Sequence, residues 1–295
     1  MENPFKTTFE SGKENVDKKY GLNVRAVLEF GRHEEPGKTP EGMSADYLTE
    51  TGKQNAANRG RGIDEANVAA YASPKQRAQE TVDLQMQSAD IFSEGAVNVV
   101  NKKLSNLPEG LTKDSSQKEG NEFKVKLAQE LDTVEEFKKI MPLAKEWAQQ
   151  QIGDGSKRSA YDLIIQYYLD NSELCQKEGV DTPHEVATQI AYRVAREVGM
   201  TEKFLNNTEI RLVNITHGPK LEPFLLAIVD DFKTLEDMGD AIKPGESFEI
   251  EVATDDNGKR EVRLKLRGKS YEINEKKLEL LAHEYRDKIL KERKE

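Results

Sequence analysis

The chain has 295 residues, with 44 Lys and Arg against 54 Asp and Glu, which leaves a formal net charge of −10. That length fits one large domain or two small ones. The acidic balance argues against general binding to nucleic acid or to an anionic membrane surface. The single cysteine, Cys175, excludes a disulfide framework and a thiolate zinc cluster, and it is typical of a reducing compartment.

The sequence also lacks the signals of a membrane or exported protein. No stretch approaches the ~20 apolar residues that a membrane span needs. Residues 1–20 are polar and without the apolar segment of a signal peptide, so we expect them to form a tail. These features predict a cytoplasmic protein.

The first part of the sequence alternates between strand and helix patterns. In chain order, the patterns predict a strand at residues 23–30, a loop at 31–42, a helix at 50–60, a strand at 67–72, a helix from 73 to about 91 and a strand at 96–100. The helix starts are indicated by Thr49 as an N-cap and by Ser73, Pro74 and Gln76, which read as a capping box. This alternation implies a parallel sheet with helices on its faces.

The second part adds helices and then returns to strands. The patterns predict a loop at residues 104–122, helices that begin near Thr133, Ser159 and Thr182, a strand at 209–216, a hairpin of strands at 248–253 and 261–267, and a helix at about 275–294. We therefore expect an α/β fold, a three-layer α/β/α sandwich with a mainly parallel sheet. Its core would comprise residues 21–118 and 205–270, with a helical cap at 119–204 and a C-terminal helix at 271–295.

Two histidines, His33 and His217, directly follow predicted strands. The carboxyl ends of parallel strands form the ligand crevice of such a sheet. Arg32 precedes His33, and Arg77 lies in the first turn of a predicted helix, so two guanidinium groups could join the histidines around one anion. Because a neutral imidazole can attack phosphorus, the four side chains predict a phosphoryl pocket with its own nucleophile and without a metal or cofactor.

Four short motifs resemble those of the histidine phosphatase superfamily, first branch, which includes the phosphoglycerate mutases. They are Phe30-Gly31-Arg32-His33-Glu34, then Leu48-Thr49-Glu50-Thr51-Gly52 with Gln54, then Ala72-Ser73-Pro74 with Arg77-Ala78 and Thr81, and finally Thr216-His217-Gly218. They occur in the order of the family, each at a strand or helix edge, and cover about residues 23–92 and 208–230.

The resemblance implies roles for these residues. His33 would attack phosphorus and become phosphohistidine, while Arg32, Arg77 and His217 would hold the phosphoryl oxygens. It also implies that Gly218 borders the substrate, and Lys38 could donate to the phosphate from the loop after the first strand.

A carboxylic acid should protonate the leaving oxygen. In the first branch this acid is a glutamate in a Leu-x-Glu pattern after the third strand, where this chain has Leu104-Ser105-Asn106. Glu109 is the nearest substitute. The other candidates are Glu34, Glu35, Glu119 and Glu122, and Glu34 occupies a position where the family most often has glycine.

The sequence therefore favours a metal-independent phosphomonoester hydrolase that acts through phosphohistidine. The alternative is a catalytically weakened phosphate-binding or regulatory protein on the same fold, and a phosphomutase ranks third. The expected partner is a phosphorylated small molecule or a phosphoprotein, with no nucleic acid and no membrane. The sequence predicts neither the substrate nor the oligomeric state.

Overall fold

The computed structural model describes residues 20–40, 44–65, 67–89, 125–134 and 136–292. The strands are β1 (Arg25–Arg32), β2 (Pro36–Lys38), β3 (Ser44–Leu48), β4 (Val68–Ala72), β5 (Lys126–Leu127), β6 (Glu209–Thr216), β7 (Ser247–Thr254), β8 (Arg260–Leu266) and β9 (Lys269–Glu272). The α-helices are α1 (Glu50–Gly60), α2 (Gln76–Ser88), α3 (Met141–Gly153), α4 (Ala160–Asp170), α5 (Ser172–Glu178), α6 (Pro183–Met200), α7 (Glu222–Ile228) and α8 (Glu275–Glu292). Of these helices, none is long and apolar enough to cross a lipid bilayer.

A seven-stranded sheet organises the molecule, in the order β5-β4-β6-β1-β7-β8-β9. The strands β5, β4, β6 and β1 pair with one another in parallel. From β1 onward the pairing is antiparallel, first to β7 and then through β8 to β9. Five of these seven strands thus run in one direction, and the prediction of an α/β fold with a mainly parallel sheet is confirmed.

Both faces of the sheet are covered by helices. On one face, Ala70 of β4 and Val213 of β6 pack against Val82 and Met86 of α2. The other face is covered by α6, α7 and α8, whose buried side chains are Ile190, Val194, Phe224, Leu225, Leu278 and Leu281. Because strands buried on both faces are apolar on both, β1 and β6 read as near-continuous apolar runs in the sequence. This arrangement is the predicted three-layer sandwich.

The helices between β5 and β6 form a second packing centre. Val134, Ile140, Tyr168 and Cys175 make a small apolar cluster that also contains Val186 of α6. The remainder of α6 belongs to the main core against the sheet. The division of residues 119–204 from the core as a cap therefore stays a prediction.

The helix starts predicted at Thr49 and Thr182 are confirmed. The Thr49 hydroxyl accepts the Gly52 N–H at 3.0 Å, and Thr182 and Glu185 form a reciprocal capping box on α6. The box at Ser73 is wrong, because α2 begins at Gln76 after Lys75 as its N-cap, without a side-chain cap. The Ser73 hydroxyl is used elsewhere.

Two other local predictions concern a strand at residues 96–100 and a loop at residues 31–42. The strand predicted at residues 96–100 lies outside the described residues, and the strand that the structure places beside β4 is β5. The segment predicted as a loop at 31–42 contains β2, which pairs with β3 as a small antiparallel ribbon beyond the main sheet.

Candidate functional site

The carboxyl ends of three adjacent strands bring the candidate residues together. His33 follows β1, His217 follows β6 and Ser73 follows β4, and these strands are neighbours in the sheet. His33 and His217 have ring centroids 4.9 Å apart, and the backbone N–H of His33 donates to Thr216 O at 2.9 Å. The parallel register thus fixes the separation of the two imidazoles.

His33 is buried, with 3% of its surface exposed. Its Nδ1 lies 2.6 Å from the carbonyl oxygen of Glu34. A carbonyl only accepts, so Nδ1 carries the hydrogen and donates, which leaves the lone pair on Nε2. Burial lowers the pKa of His33 to about 3, and the charges of Arg77 and Arg32 add to this effect. The ring is therefore a neutral imidazole near pH 7 with a nucleophilic Nε2.

His217 lies in a chain of hydrogen bonds that sets its tautomer. Arg77 Nε is 3.3 Å from His217 Nδ1, and because a guanidinium only donates, Nδ1 accepts. His217 Nε2 is 2.7 Å from Ser73 Oγ, so Nε2–H donates to the hydroxyl. Burial lowers the pKa of His217, and the cations around it lower it further. The structure thus shows a neutral ring whose proton is on the nitrogen that faces Ser73.

The two arginines donate hydrogen bonds to neutral groups. Arg77 Nη1 donates to the carbonyl of Ala45 at 3.2 Å, and Arg32 Nη1 donates to the carbonyl of Ile242 at 3.0 Å. The Arg32 guanidinium also stacks on the ring of Tyr161, 4.3 Å from its centroid. Among the described residues, no carboxylate lies within ion-pair distance of either arginine, so the pocket is cationic and suited to a phosphate.

The other two candidate binding residues, Gly218 and Lys38, differ in their position relative to the cluster. Gly218 lies inside the cluster, and a Cβ there would clash with the Tyr161 hydroxyl and lie 3.3 Å from Arg32 Cζ. Lys38 is exposed on β2, where its carbonyl accepts from the Tyr47 hydroxyl at 3.2 Å. No hydrogen bond within the described part of the chain joins the Lys38 ammonium to the site.

The two predicted proton donors that the structure describes, Glu34 and Glu35, do not join the cluster. Glu109, Glu119 and Glu122 lie outside the described residues. Glu34 is buried and turns toward Arg59, with 3.4 Å between Oε1 and Nη1, and burial raises its pKa against the opposing effect of this arginine. Glu35 accepts from the Thr49 hydroxyl at 3.3 Å, at the start of α1.

Sequence reasoning missed an acid that the structure places beside the site. Asp132, five residues after β5, has Oδ1 3.4 Å from Ser73 Oγ, so it is connected to His217 through one hydroxyl. Glu130 of the same segment instead faces Arg196 of α6 at 3.4 Å. The sequence signal for Asp132 was weak because β5 has only two residues and reads as part of the helical segment.

Three further residues were also missed. The Tyr161 ring of α4 and the carboxyl of Glu222 at the start of α7 both lie near Arg32. Lys220, which is 1% exposed, donates from its ammonium to the side chain of Gln189. Buried polar residues of this kind show no periodic signal, because their environment is made by elements distant in sequence.

The arrangement can bind an anion and attack it. Two guanidinium groups supply donors, and a neutral imidazole supplies a lone pair on the same side of the sheet. Within the described residues, no group of three or more His, Cys, Asp or Glu side chains is arranged to hold a metal ion.

Solved structures similar to this chain include several phosphatases. The mycobacterial glucosyl-3-phosphoglycerate phosphatase Rv2419c matches 82% of this chain and 97% of its own, at 13% identity and a TM-score of 0.43. The protein histidine phosphatase SixA matches 80% and 93%, at 11% identity and a TM-score of 0.30. The phosphoserine phosphatase of Entamoeba histolytica matches 81% and 94%, at 12% identity and a TM-score of 0.39.

A protein histidine phosphatase is thus one of the solved structures to which the chain is similar. No protein-family model and no curated protein matches the chain. At these identities and TM-scores the activities of the neighbours are not transferred to this chain, and its chemistry is derived from its own side chains.

Proposed function

We propose that the chain is a metal-independent phosphomonoesterase that forms a phosphohistidine on His33. The observation that carries this proposal is the tautomer of His33. The Glu34 carbonyl holds the proton on Nδ1, and burial keeps the ring neutral, so Nε2 offers its lone pair at every pH near neutrality.

The reaction would proceed in two transfers. In the first, His33 Nε2 forms a bond to phosphorus as the bond to the ester oxygen breaks, and a carboxylic acid gives its proton to the leaving oxygen. In the second, a water attacks the phosphohistidine, the carboxylate takes the proton of the water, and orthophosphate and free His33 are released. Arg32 and Arg77 would stabilise the charge on the equatorial oxygens throughout.

Two carboxyl groups are candidates for the acid. Asp132 is supported by its position 3.4 Å from Ser73 Oγ, and Glu109 remains a proposal from the sequence alone. The substrate would be a phosphorylated small molecule or a phosphoprotein, in the cytoplasm. The single cysteine, which is typical of a reducing compartment, supports this location.

The nucleophile is tested by trapping the intermediate. The full chain is mixed with a ³²P-labelled aryl phosphate in EDTA and quenched within milliseconds. We expect an acid-labile, alkali-stable label on the wild type and none on His33→Ala, whose turnover should fall by at least about a thousandfold. His184→Ala is the matched control, because His184 is exposed and pairs with Glu284 on the surface.

The acid is tested by varying the leaving group. An alkyl phosphate needs a proton on its leaving oxygen and a nitrophenyl phosphate hardly does, so loss of the acid should slow the first about a hundredfold more than the second. We expect this selective loss in Asp132→Asn or in Glu109→Gln. If the wild type binds orthophosphate but turns over neither ester, the catalytically weakened phosphate-binding protein replaces the enzyme.

A further inference from the structure

Glu222 is a buried acid that the proposed reaction does not use. It begins α7, five residues after His217, and none of its surface is exposed. Its Oε1 accepts the backbone N–H of Ile242 at 2.9 Å. Its Oε2 is also buried and has no hydrogen-bond partner within the described residues.

Ile242 links Glu222 to the phosphate pocket. The N–H of Ile242 bonds to Glu222, and its carbonyl accepts from Arg32 Nη1 at 3.0 Å. The preceding residue, Ala241, is held as well, because its N–H donates to Asp162 Oδ1 at 3.1 Å and its carbonyl accepts from Arg267 at 2.9 Å. The segment that orients Arg32 is thus braced by side chains from three other parts of the chain.

The hydrogen bonding of Arg32 is incomplete for a largely buried cation. Its Nε is buried without a hydrogen-bond partner in the described part of the chain, as is the hydroxyl of Tyr161 on which it stacks. Glu222 is near enough to influence both, since Arg32 opposes the rise in the pKa of Glu222 and Glu222 adds to the rise in the pKa of Tyr161 that burial causes. Glu222 and Arg32 nevertheless form no ion pair, and the hydrogen bonds that connect them run through Ile242.

A charged carboxylate against Arg32 would work against phosphate binding. Its negative charge would offset part of the positive charge that an anion needs. Burial instead raises the pKa of Glu222, which favours the neutral acid. A neutral carboxyl can still accept the Ile242 N–H and hold the segment in place.

We propose that Glu222 is a positioning residue for Arg32: its carboxyl accepts the Ile242 N–H and fixes the segment whose carbonyl orients the guanidinium, and it forms no ion pair with that cation, which remains available to an anion. This inference rests on the proposed function for its purpose, although the positioning itself can be measured without any substrate.

The test compares Glu222→Gln with Glu222→Ala in the full chain. Gln keeps a neutral acceptor of the same length, whereas Ala removes it. We expect Glu222→Gln to bind orthophosphate within about threefold of the wild type, and Glu222→Ala to bind at least about tenfold more weakly by calorimetry. The matched control is Glu246→Gln, because Glu246 also accepts a backbone N–H of this loop, that of Lys243 at 2.8 Å, but faces Arg267. Its affinity should equal that of the wild type.

A second measurement reports on the order of the Arg32 side chain. In ¹⁵N-arginine spectra, the Nε–H signal assigned by its loss in Arg32→Lys should be sharp in the wild type and in Glu222→Gln. It should broaden in Glu222→Ala. If Glu222→Ala does not fold, Glu222→Asp replaces it, because its carboxyl is one methylene too short to reach Ile242.

Each outcome decides one point. An unchanged Arg32 signal and unchanged phosphate affinity in Glu222→Ala would overturn the positioning role. Affinity lost equally in Glu222→Gln would show that the carboxyl acts as a charge and would also overturn it. A wild type that binds no orthophosphate would count against the proposed function alone, since the Arg32 signal would still report on the positioning.

Discussion

Two arginines on neighbouring strands have opposite surroundings. Arg211 of β6 contacts three carboxylates, those of Glu29, Glu65 and Glu249, at 3.0, 2.8 and 2.7 Å. Arg32, at the carboxyl end of β1, contacts a carbonyl and an aromatic ring and, among the described residues, no carboxylate. Both cations are largely removed from water.

The difference in their partners distinguishes a cation that stabilises the fold from a cation that can bind an anion. A buried guanidinium that is surrounded by acids has its charge balanced within the protein, and removal of either side leaves an uncompensated charge. A guanidinium held by neutral groups keeps an unbalanced charge that an external anion can satisfy. By this criterion we assign Arg32 and Arg77 to the proposed ligand site and Arg211 to the scaffold.

The largest expected effect is the loss of stability on substitution of Arg211. Arg211→Met should lower the free energy of unfolding by about 3–5 kcal/mol, because it leaves buried carboxylates without their partner. Urea unfolding at pH 7 measures it. Arg25→Met is the control, since Arg25 pairs with Glu209 where both side chains are about half exposed, and its loss should cost less than about 1 kcal/mol. Equal losses in the two variants would contradict the distinction.

Arg32→Met should show the reverse pattern. We expect the affinity for orthophosphate to fall about a hundredfold, which corresponds to about 2.7 kcal/mol, because the anion loses a charged donor. The free energy of unfolding should change much less than in Arg211→Met. Calorimetric titration and urea unfolding of the same preparation give both numbers, and a loss of stability without a loss of affinity would place Arg32 with the scaffold.

The neutral state of His33 predicts a pH dependence with a definite sign. Its pKa is about 3 in the folded protein and ~6.5 in the unfolded chain, so below pH 6.5 only the unfolded state takes up the proton. The contribution of His33 to stability is therefore present above pH 6.5 and is lost as the pH falls toward 3. Between pH 7 and 5 this loss is about 2 kcal/mol.

The measurement compares the wild type with His33→Gln in urea unfolding at pH 7, 6 and 5. The variant should lack this part of the acid destabilisation, so the difference between the two stabilities should narrow or reverse as the pH falls. Parallel curves would show that His33 titrates normally in the folded state. The lone pair on Nε2 would then be lost in mildly acidic solution.

The smallest expected effect concerns Ser73. Ser73→Ala removes the acceptor of the His217 Nε2–H, which should lower stability by about 1 kcal/mol and turnover by about tenfold as the imidazole loses its orientation. Ser159→Ala is the matched control, since its hydroxyl caps α4 by accepting the Asp162 N–H. It should lose a similar stability with turnover unchanged.

Much of the fold was predictable because its signals are local. The apolar strands that became β1 and β6 and the caps at Thr49 and Thr182 follow from residues within a few positions of each other. The capping box predicted at Ser73 is wrong because it too was inferred from local residues alone. Its sequence is that of a capping box, yet the hydroxyl is taken by His217, a residue 144 positions away that no local pattern can supply.

The sequence also predicted which residues gather at the ends of the strands. Motif order and the strand-end rule identified His33, His217, Arg32 and Arg77, and the structure brings all four together. The same rule could not identify Asp132 or Glu222, because β5 is too short to show a pattern and a single acid beside an apolar run has no periodic signature.

The sequence by itself determined which residue types reach the carboxyl edge of the sheet, since strand pattern and chain order are written in neighbouring residues. Only the tertiary structure decided their chemical state. The tautomers of His33 and His217, the neutral hydrogen-bond partner of Arg32 and the placement of Glu222 all depend on groups brought within a few ångströms by packing. Hydrogen bonds and desolvation act over distances in space, whatever the separation along the chain.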